Sequence, residues 1–263
     1  MPPRITIVTI SFNQAKYLGE AIASVLDQGY PNLDYIVVDP GSTDGSRDVI
    51  INYTDQLTAL LSPDDGPADG LNRGFARATG EIFGYINADD RLLPGALDRI
   101  AAHFADPATD VILGNGVMLD AAGEVTRPVY SSRFSLSALG HGAMTFVQQG
   151  NFFRRTAFMR AGGFNAANRT CWDAELLIDM ALANARIVNV PDRLGAFRLY
   201  GETITGSGRF AQQMALDNAR LSAKALGRPS RPGDRLRRPL HRLWRWIGHP
   251  AATLDGVRAR LAR

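Results

Sequence analysis

Four times in the first hundred residues a short apolar run is followed by apolar residues at helical spacing. That alternation constrains the fold more than any other feature of the chain. Ile5-Thr6-Ile7-Val8-Thr9-Ile10 is continuous and rich in β-branched residues, as a strand buried on both faces should be. Ser11-Phe12-Asn13 breaks it, and Tyr17, Leu18, Ala21, Ile22, Val25 and Leu26 then recur with the period of a helix. Asp34 to Asp39 predicts a second strand, and Ser42 to Ser46 supplies cap-type residues before a helix near Arg47 to Tyr53. Leu57 to Leu61 is the third strand. Pro67 suits a first helical position, and Gly80 stops the helix it opens. The fourth strand, Ile82 to Ile86, runs into Asn87-Ala88-Asp89-Asp90, and Pro94 opens the next helix. Such a rhythm predicts an α/β fold with a mostly parallel sheet covered by helices.

After Val111-Ile112-Leu113 the rhythm changes. Val117 to Leu119 and Val125 read as a hairpin, followed by about twenty polar residues up to Gln149. Asn151-Phe152-Phe153 predicts a strand, Asp173 to Ala185 a helix, and 187–190 and 194–199 two further strands. The expected organisation is a regular half over 1–110, a less regular half of the same domain over 111–220, and a tail over 221–263.

The tail is set apart by charge. It carries eleven Lys and Arg against two acids, a local +9, whereas residues 1–220 hold 18 basic and 24 acidic side chains, −6. A chain that is 45% hydrophobic and 21% charged has the composition of a globular protein rather than a disordered one. No apolar run approaches the roughly 20 residues that span a bilayer, and the opening Met-Pro-Pro-Arg lacks the pattern of a secretory signal. The expected location is cytoplasmic. One cysteine, Cys171, excludes an internal disulfide and a Cys-cluster zinc site, so a site in this chain should be built from oxygens.

In open α/β sheets ligands bind at the carboxyl ends of the strands. Ser11 to Asn13, Asp39 to Asp44 and Asn87 to Asp90 all fall there. Adjacent carboxylates at such an end suit a hard divalent cation that shares its shell with substrate phosphates; equally, Asp89 or Asp90 could cap the Pro94 helix. Asp39 could bond a ribose or base edge, or simply a turn. A pair placed at a strand end also predicts that removing Asp90 leaves the fold intact.

Residues 5 to about 205 resemble a family-2 glycosyltransferase. The resemblance is carried by Thr9-Ile10-Ser11-Phe12-Asn13-Gln14, by the stretch from Ser24 to Asp39, and by Gly41-Ser42-Thr43-Asp44-Gly45-Ser46. It continues through Pro63-Asp64-Asp65-Gly66, Leu71-Asn72-Arg73-Gly74, Ala78-Thr79-Gly80-Glu81 and Asn87-Ala88-Asp89-Asp90. It implies a GT-A fold and an inverting, metal-dependent transfer of a sugar from a nucleoside-diphosphate sugar, with UDP favoured, to an acceptor hydroxyl. The setting it implies is surface polysaccharide or glycolipid assembly.

The resemblance also implies roles. Thr9 and Asn13 match the segment lying against the nucleotide, Asp39 the carboxylate on base or ribose, and Asp64 the acid that reads the base. Arg73 matches the cation near the pyrophosphate. Asp89 and Asp90 match the acidic pair, of which the second usually binds Mn²⁺ or Mg²⁺ and the first the ribose or a metal-bound water. Asp173 matches the general base, though at a helix start it could instead be only an N-cap; Glu175 is its nearest substitute, and Trp172 is either an acceptor platform or a core residue. An acceptor alcohol is a poor nucleophile, so a positioned carboxylate must take its proton as it attacks. Tyr200 stands where the family often has His, which leaves Arg198 and water to serve the metal and phosphates.

Other readings differ in their marks. A dehydrogenase needs Gly-x-Gly-x-x-Gly after the first strand, which this chain lacks. A nucleotidyltransferase usually opens with a Gly-rich basic loop, unlike Ser11-Phe12-Asn13-Gln14. A non-catalytic sugar-nucleotide-binding or scaffolding subunit of a glycan assembly complex remains the alternative. In the tail, 236–247 interleaves arginines with Leu240, Leu243, Trp244 and Ile247 at i, i+3, i+4 and i+7. That pattern predicts an amphipathic helix on an anionic membrane surface, as a glycan or lipid-linked acceptor would require. The alternatives are a tail folded on the acidic body, or a nucleic-acid contact, for which nothing else in the chain speaks.

Overall fold

A computed structural model describes residues 1–201, 208–229, 231, 233–234, 237 and 239. The 236–247 pattern therefore lies almost wholly outside the described residues. The chain runs β1 (Ile5–Ile10), α1 (Ala15–Leu26), β2 (Leu33–Val38), α2 (Ser46–Ile51), β3 (Thr58–Leu60), α3 (Pro67–Arg77), β4 (Ile82–Asn87), β5 (Arg91–Leu92) and α4 (Ala96–His103). It continues with β6 (Val111–Leu119), β7 (Val125–Val129), α5 (Leu136–Gly140), a 3₁₀ turn (Gln148–Gly150), β8 (Asn151–Arg154), α6 (Arg155–Ala161), α7 (Trp172–Leu182), β9 (Ile187–Arg198) and α8 (Ala211–Leu226).

One sheet runs through both halves in the order β3-β2-β1-β4-β8-β6-β9-β5, with β7 paired to β6. The strands β3, β2, β1 and β4 are parallel, and β8 enters antiparallel between β4 and β6. Side chains alternate between two helical layers, as the period of a strand requires. Ile5, Ile7, Tyr35, Val37, Ile82 and Ile86 pack on Leu18, Ile22 and Val25 of α1, Ile50 of α2 and Leu97 of α4. Val8, Ile36, Val38, Phe83 and Tyr85 face Leu71 and Phe75 of α3, Phe158 of α6 and Leu177 of α7. Each fully buried Ile, Leu or Phe contributes about 1.5–3 kcal/mol relative to exposure.

Close approach of α3 to the sheet depends on Gly74. A Cβ there would lie 2.6 Å from Cγ1 of Val8. The polar stretch before Gln149 is less irregular than its sequence predicts. β7 is the second strand of the expected hairpin, and the stretch after it contains α5, whose N-cap Ser135 accepts a hydrogen bond from Ala138 N–H. The two strands expected at 187–199 form one strand, β9.

Candidate functional site

Register brings the expected clusters together. Ile10 pairs with Val38 on one side and Asn87 on the other, so β1, β2 and β4 end level. Their following segments then tie to one another. Asn13, held at φ 53°, donates its N–H to Ser42 Oγ (2.8 Å), and its Oδ1 accepts from Thr43 N–H (3.0 Å). Ala15 N–H, at the start of α1, donates to Asp44 Oδ2 (2.9 Å), and Gln14 N–H to Ser46 Oγ (3.0 Å). The cap-type residues before α2 thus cap α1 as well, meeting donors that a helix start leaves unpaired.

Asp39 lies below this loop, fully buried. Its carboxylate accepts from Gly41 N–H, from Ser42 N–H and Oγ–H, and from Arg47 Nε at 3.2 Å. Thr9 is also fully buried, its hydroxyl 3.0 Å from the Tyr35 hydroxyl. Phe12, between them and solvent in sequence, has a 60% exposed side chain. Asp64 accepts from Gly66 N–H (2.9 Å) and packs so closely on α3 that a Cβ at Gly70 would lie 2.6 Å from its Oδ2. Burial raises its carboxyl above the ordinary value. Arg73 reaches back to Asp69 (2.8 Å) and to the carbonyl of Pro63, and remains partly exposed.

The acidic pair divides into a fully buried and a half-buried carboxylate, and burial raises both above the ordinary value. Asp90 is 3% exposed, and accepts from Arg198 N–H (2.9 Å), the Asn87 side-chain amide (3.0 Å) and the Gln149 amide. Burial, then the neighbouring charge of Asp89, pushes its carboxyl up to about 8. Asp89 is only partly buried, and its Oδ2 accepts from the Tyr200 hydroxyl at 3.3 Å. That hydroxyl also lies 3.1 Å from Gln14 Oε1, and burial followed by the charge of Asp89 raises it to about 12, so it stays protonated. Beside it opens a cleft of about 280 Å³ lined by Asn13, Gln14, Lys16, Tyr17, Asp44 and Tyr200.

Arg198 corrects an expectation. Its guanidinium is buried and occupied: it donates to Glu20 Oε2 (2.7 Å), the Asp89 carbonyl (3.0 Å) and the carbonyls of Asp120 and Ala121, and lies 4.3 Å from the Tyr17 ring centre. It braces the acidic pair from behind, with four of its five N–H groups engaged and its side chain closed to solvent.

Asp173 is the second residue of α7, in the layer that α3 and α6 share. Its Oδ1 accepts from Ala174 N–H (2.8 Å), and burial raises its carboxyl above the ordinary value. Burial, then the charge of Asp173 and more weakly that of Asp90, raises the phenol of Tyr85 well above its usual range. Trp172 packs in the core beside Leu176. Glu175 is 1% exposed and accepts from Asn165, Asn168, Arg220 and Lys224, which removes it from contention as a substitute base. Sequence reasoning missed Gln14, Glu20 and Gln149. Each acts on a residue far away in the chain, and no local pattern marks it.

Among the described residues no three His, Cys, Asp or Glu side chains converge as a self-sufficient metal centre. The donor chemistry fits a hard cation all the same. Asp89 offers a hard carboxylate oxygen, Gln14 a nearby amide oxygen, and Mg²⁺-type ions take one or two carboxylates and fill the rest of their shell with water and substrate phosphates.

A mixed sheet between two helical layers, with acidic and polar segments gathered at the ends of its leading strands, is the GT-A architecture. Over 94% of this chain it superposes on 72% of Staphylococcus aureus TarS residues 1–349 in complex with UDP-GlcNAc, at a TM-score of 0.68 and 18% identity. It also superposes, over 100% of this chain, on 81% of the mannosyltransferase PcManGT from Pyrobaculum calidifontis in complex with GDP-Man and Mn²⁺, at 0.66 and 20% identity. The pattern of glycosyl transferase family 2 matches residues 6–170, and the chain belongs to that family. An uncharacterized glycosyltransferase of Nostoc sp. is 28% identical over 210 residues, 75% of this chain and 65% of that protein. A putative teichuronic acid biosynthesis glycosyltransferase of Bacillus subtilis, TuaG, is 32% identical over 101 residues, 37% of this chain and 40% of that protein. The chain thus spans less than two thirds of these curated relatives. Among the described residues no helix is long and apolar enough to cross a membrane.

Proposed function

We propose that the protein moves a sugar from a nucleoside-diphosphate sugar to an acceptor hydroxyl with inversion of the anomeric centre. The observation that carries this reading is a half-buried carboxylate, Asp89 at the strand ends, together with a buried carboxylate, Asp173, whose environment makes it more basic. The donor lies along the ends of β1, β2 and β4. Asn13 and the loop shaped by Asp39 border the nucleotide, while Thr9, which the resemblance puts against it, is fully buried against Tyr35. Phe12 offers a ring face to the base, Asp64 an acceptor for its edge, and Arg73 a positive charge near the diphosphate. UDP is the nucleotide we favour; TarS with UDP-GlcNAc supports this and PcManGT with GDP-Man is the competitor.

Asp89, with the donor's own phosphates, is the residue to hold Mn²⁺ or Mg²⁺, and such an ion offsets the negative charge that grows on the leaving diphosphate. Asp90, which the resemblance puts on the metal, has both oxygens buried and engaged, and in this reading it instead keeps Asp89 and β9 in register. Asp173 takes the proton from the acceptor hydroxyl as its oxygen attacks the anomeric carbon from the face opposite the diphosphate. One displacement suffices, so no covalent sugar intermediate forms.

Surface polysaccharide or glycolipid assembly is the setting we infer, supported by the likeness to TuaG. A lipid-linked acceptor would explain the basic 236–247 stretch as a contact with the inner, anionic face of a membrane, tested by co-sedimentation with anionic vesicles. The catalytic reading is tested by thermal stabilisation with UDP-, GDP- and dTDP-sugars, with and without Mn²⁺, since a ligand that binds the native state raises its stability. No shift with any of them, and no release of nucleoside diphosphate, would leave a scaffolding role.

A further inference from the structure

We infer that α8 is a positioning element for the base: Arg220 and Lys224, acting through Glu175, fix the first turn of α7 and with it Asp173. This rests on the reading of Asp173 as base. Asp173 and Glu175 share that first turn, and among the described residues the only side-chain hydrogen bond of Asp173 is the local one to Ala174 N–H. Among the described residues no side chain of another element bonds its carboxylate. Its aim is therefore set by the helix backbone.

Glu175 is where that backbone is gripped. Arg220 donates to both of its oxygens, the fork geometry that fixes direction as well as distance. Lys224 donates to the same carboxylate (3.0 Å) and to Asp179 one turn on (2.7 Å). Asn165 and Asn168, from the loop that leads into α7, complete the shell at 3.1 and 2.7 Å. One residue upstream of the helix cap Cys171, Thr170 donates to Asp217 of α8 at 2.7 Å. The helix α8 thus holds residues 170, 175 and 179, bracketing Asp173 on both sides. A buried carboxylate without these cations would be strongly unfavourable, so the first turn is bound to α8 rather than merely resting on it.

A helix that only glued the fold together would affect stability, whereas a positioning helix must affect turnover with little change in donor binding. The test uses the full chain and the variants Arg220→Met, Lys224→Met and Arg220→Lys. It follows hydrolysis of UDP-GlcNAc or GDP-mannose with Mn²⁺, whichever is faster, together with hydrogen exchange. Ser222→Ala serves as control, because it removes an α8 bond to the Gly140 carbonyl without touching α7. We expect Arg220→Met to lower kcat at least tenfold with the donor KM within twofold, and amides of residues 170–176 to exchange faster while those of β4 do not. Arg220→Lys should recover most of the loss. If Arg220→Met does not fold, Lys224→Met and Arg220→Lys carry the comparison. A kcat no lower than that of Ser222→Ala, or unchanged exchange at 170–176, overturns the proposal. Asp173→Asn is measured beside them: if it retains full turnover the base itself is misassigned and this inference falls with it. If it is inactive while Arg220→Met is not, the positioning role alone is wrong.

Discussion

The main-chain N–H of Arg198 donates to the carboxylate of Asp90 at 2.9 Å, joining the end of β9 to the end of β4 across 108 residues of chain. Two side-chain amides, from Asn87 and Gln149, converge on the other oxygen of the same carboxylate. Removing Asp90 would strand these buried donors. The expectation that Asp90 can be removed with the fold intact, drawn from its place at a strand end, leaves these donors out of account. Asp90→Ala should lose about 3 kcal/mol of stability, read as a lower midpoint in urea, together with whatever turnover it loses.

Asp173→Asn should trade stability against activity. Burial holds the Asp173 carboxyl above its unfolded value of 3.8, so the native state keeps a proton that the unfolded chain has released. Between those two values stability falls as pH rises. The amide avoids this cost, so at pH 7 the variant should be slightly more stable than the parent, while its turnover drops about 10²–10⁴-fold. The parent's turnover should fall on the acid side through a pKa above 3.8, and that limb should vanish in the variant. Calorimetry and a pH–rate profile check the pair.

Glu175 has the opposite sign. Burial pushes its carboxyl up, but Arg220, Asn168, Asn165 and Lys224 outweigh it and hold the group at about 2. Its contribution to stability is complete above the unfolded value of 4.5 and is lost as pH falls toward 2. Glu175→Gln, which breaks a buried ion pair, should cost about 3–5 kcal/mol at neutral pH and flatten acid unfolding over that interval.

Gly70→Ala offers a probe of the donor site that spares the core. The new methyl would press on Oδ2 of Asp64, whose carboxylate must move. Nucleotide affinity should weaken about tenfold, or ~1.4 kcal/mol, in titrations with UDP. An unchanged affinity would show that Asp64 does not touch the base.

The leading strands and their polar ends were legible because each apolar run is bounded by residues with one plain local purpose. The long strands were not. The sequence reading broke β6 at Gly114-Asn115-Gly116 and β9 at Pro191-Asp192-Arg193, since glycine and proline ordinarily end strands. In the structure the pairing of these two strands shifts register on either side of Asn115, and both strands continue past the irregularity. The antiparallel insertion of β8 was equally hidden, because Asn151 to Arg154 carries no mark of the direction its neighbours impose. At the site, Asp89, Asp90 and Asp173 were found as residues. The division of the acidic pair into a fully buried and a half-buried carboxylate was not, since it depends on Gln149 and Arg198, 59 and 108 residues away from Asp90.

The loop from Asp39 to Ser46 spends its side chains on the first residues of α1 and on its own backbone. Its shape is therefore inherited from folding instead of being imposed by an arriving nucleotide. On the proposed reading, recognition and global stability share one set of bonds here. Mild urea, well below the unfolding midpoint, should leave the donor affinity flat until the sheet edge itself begins to open, and then both should fail together.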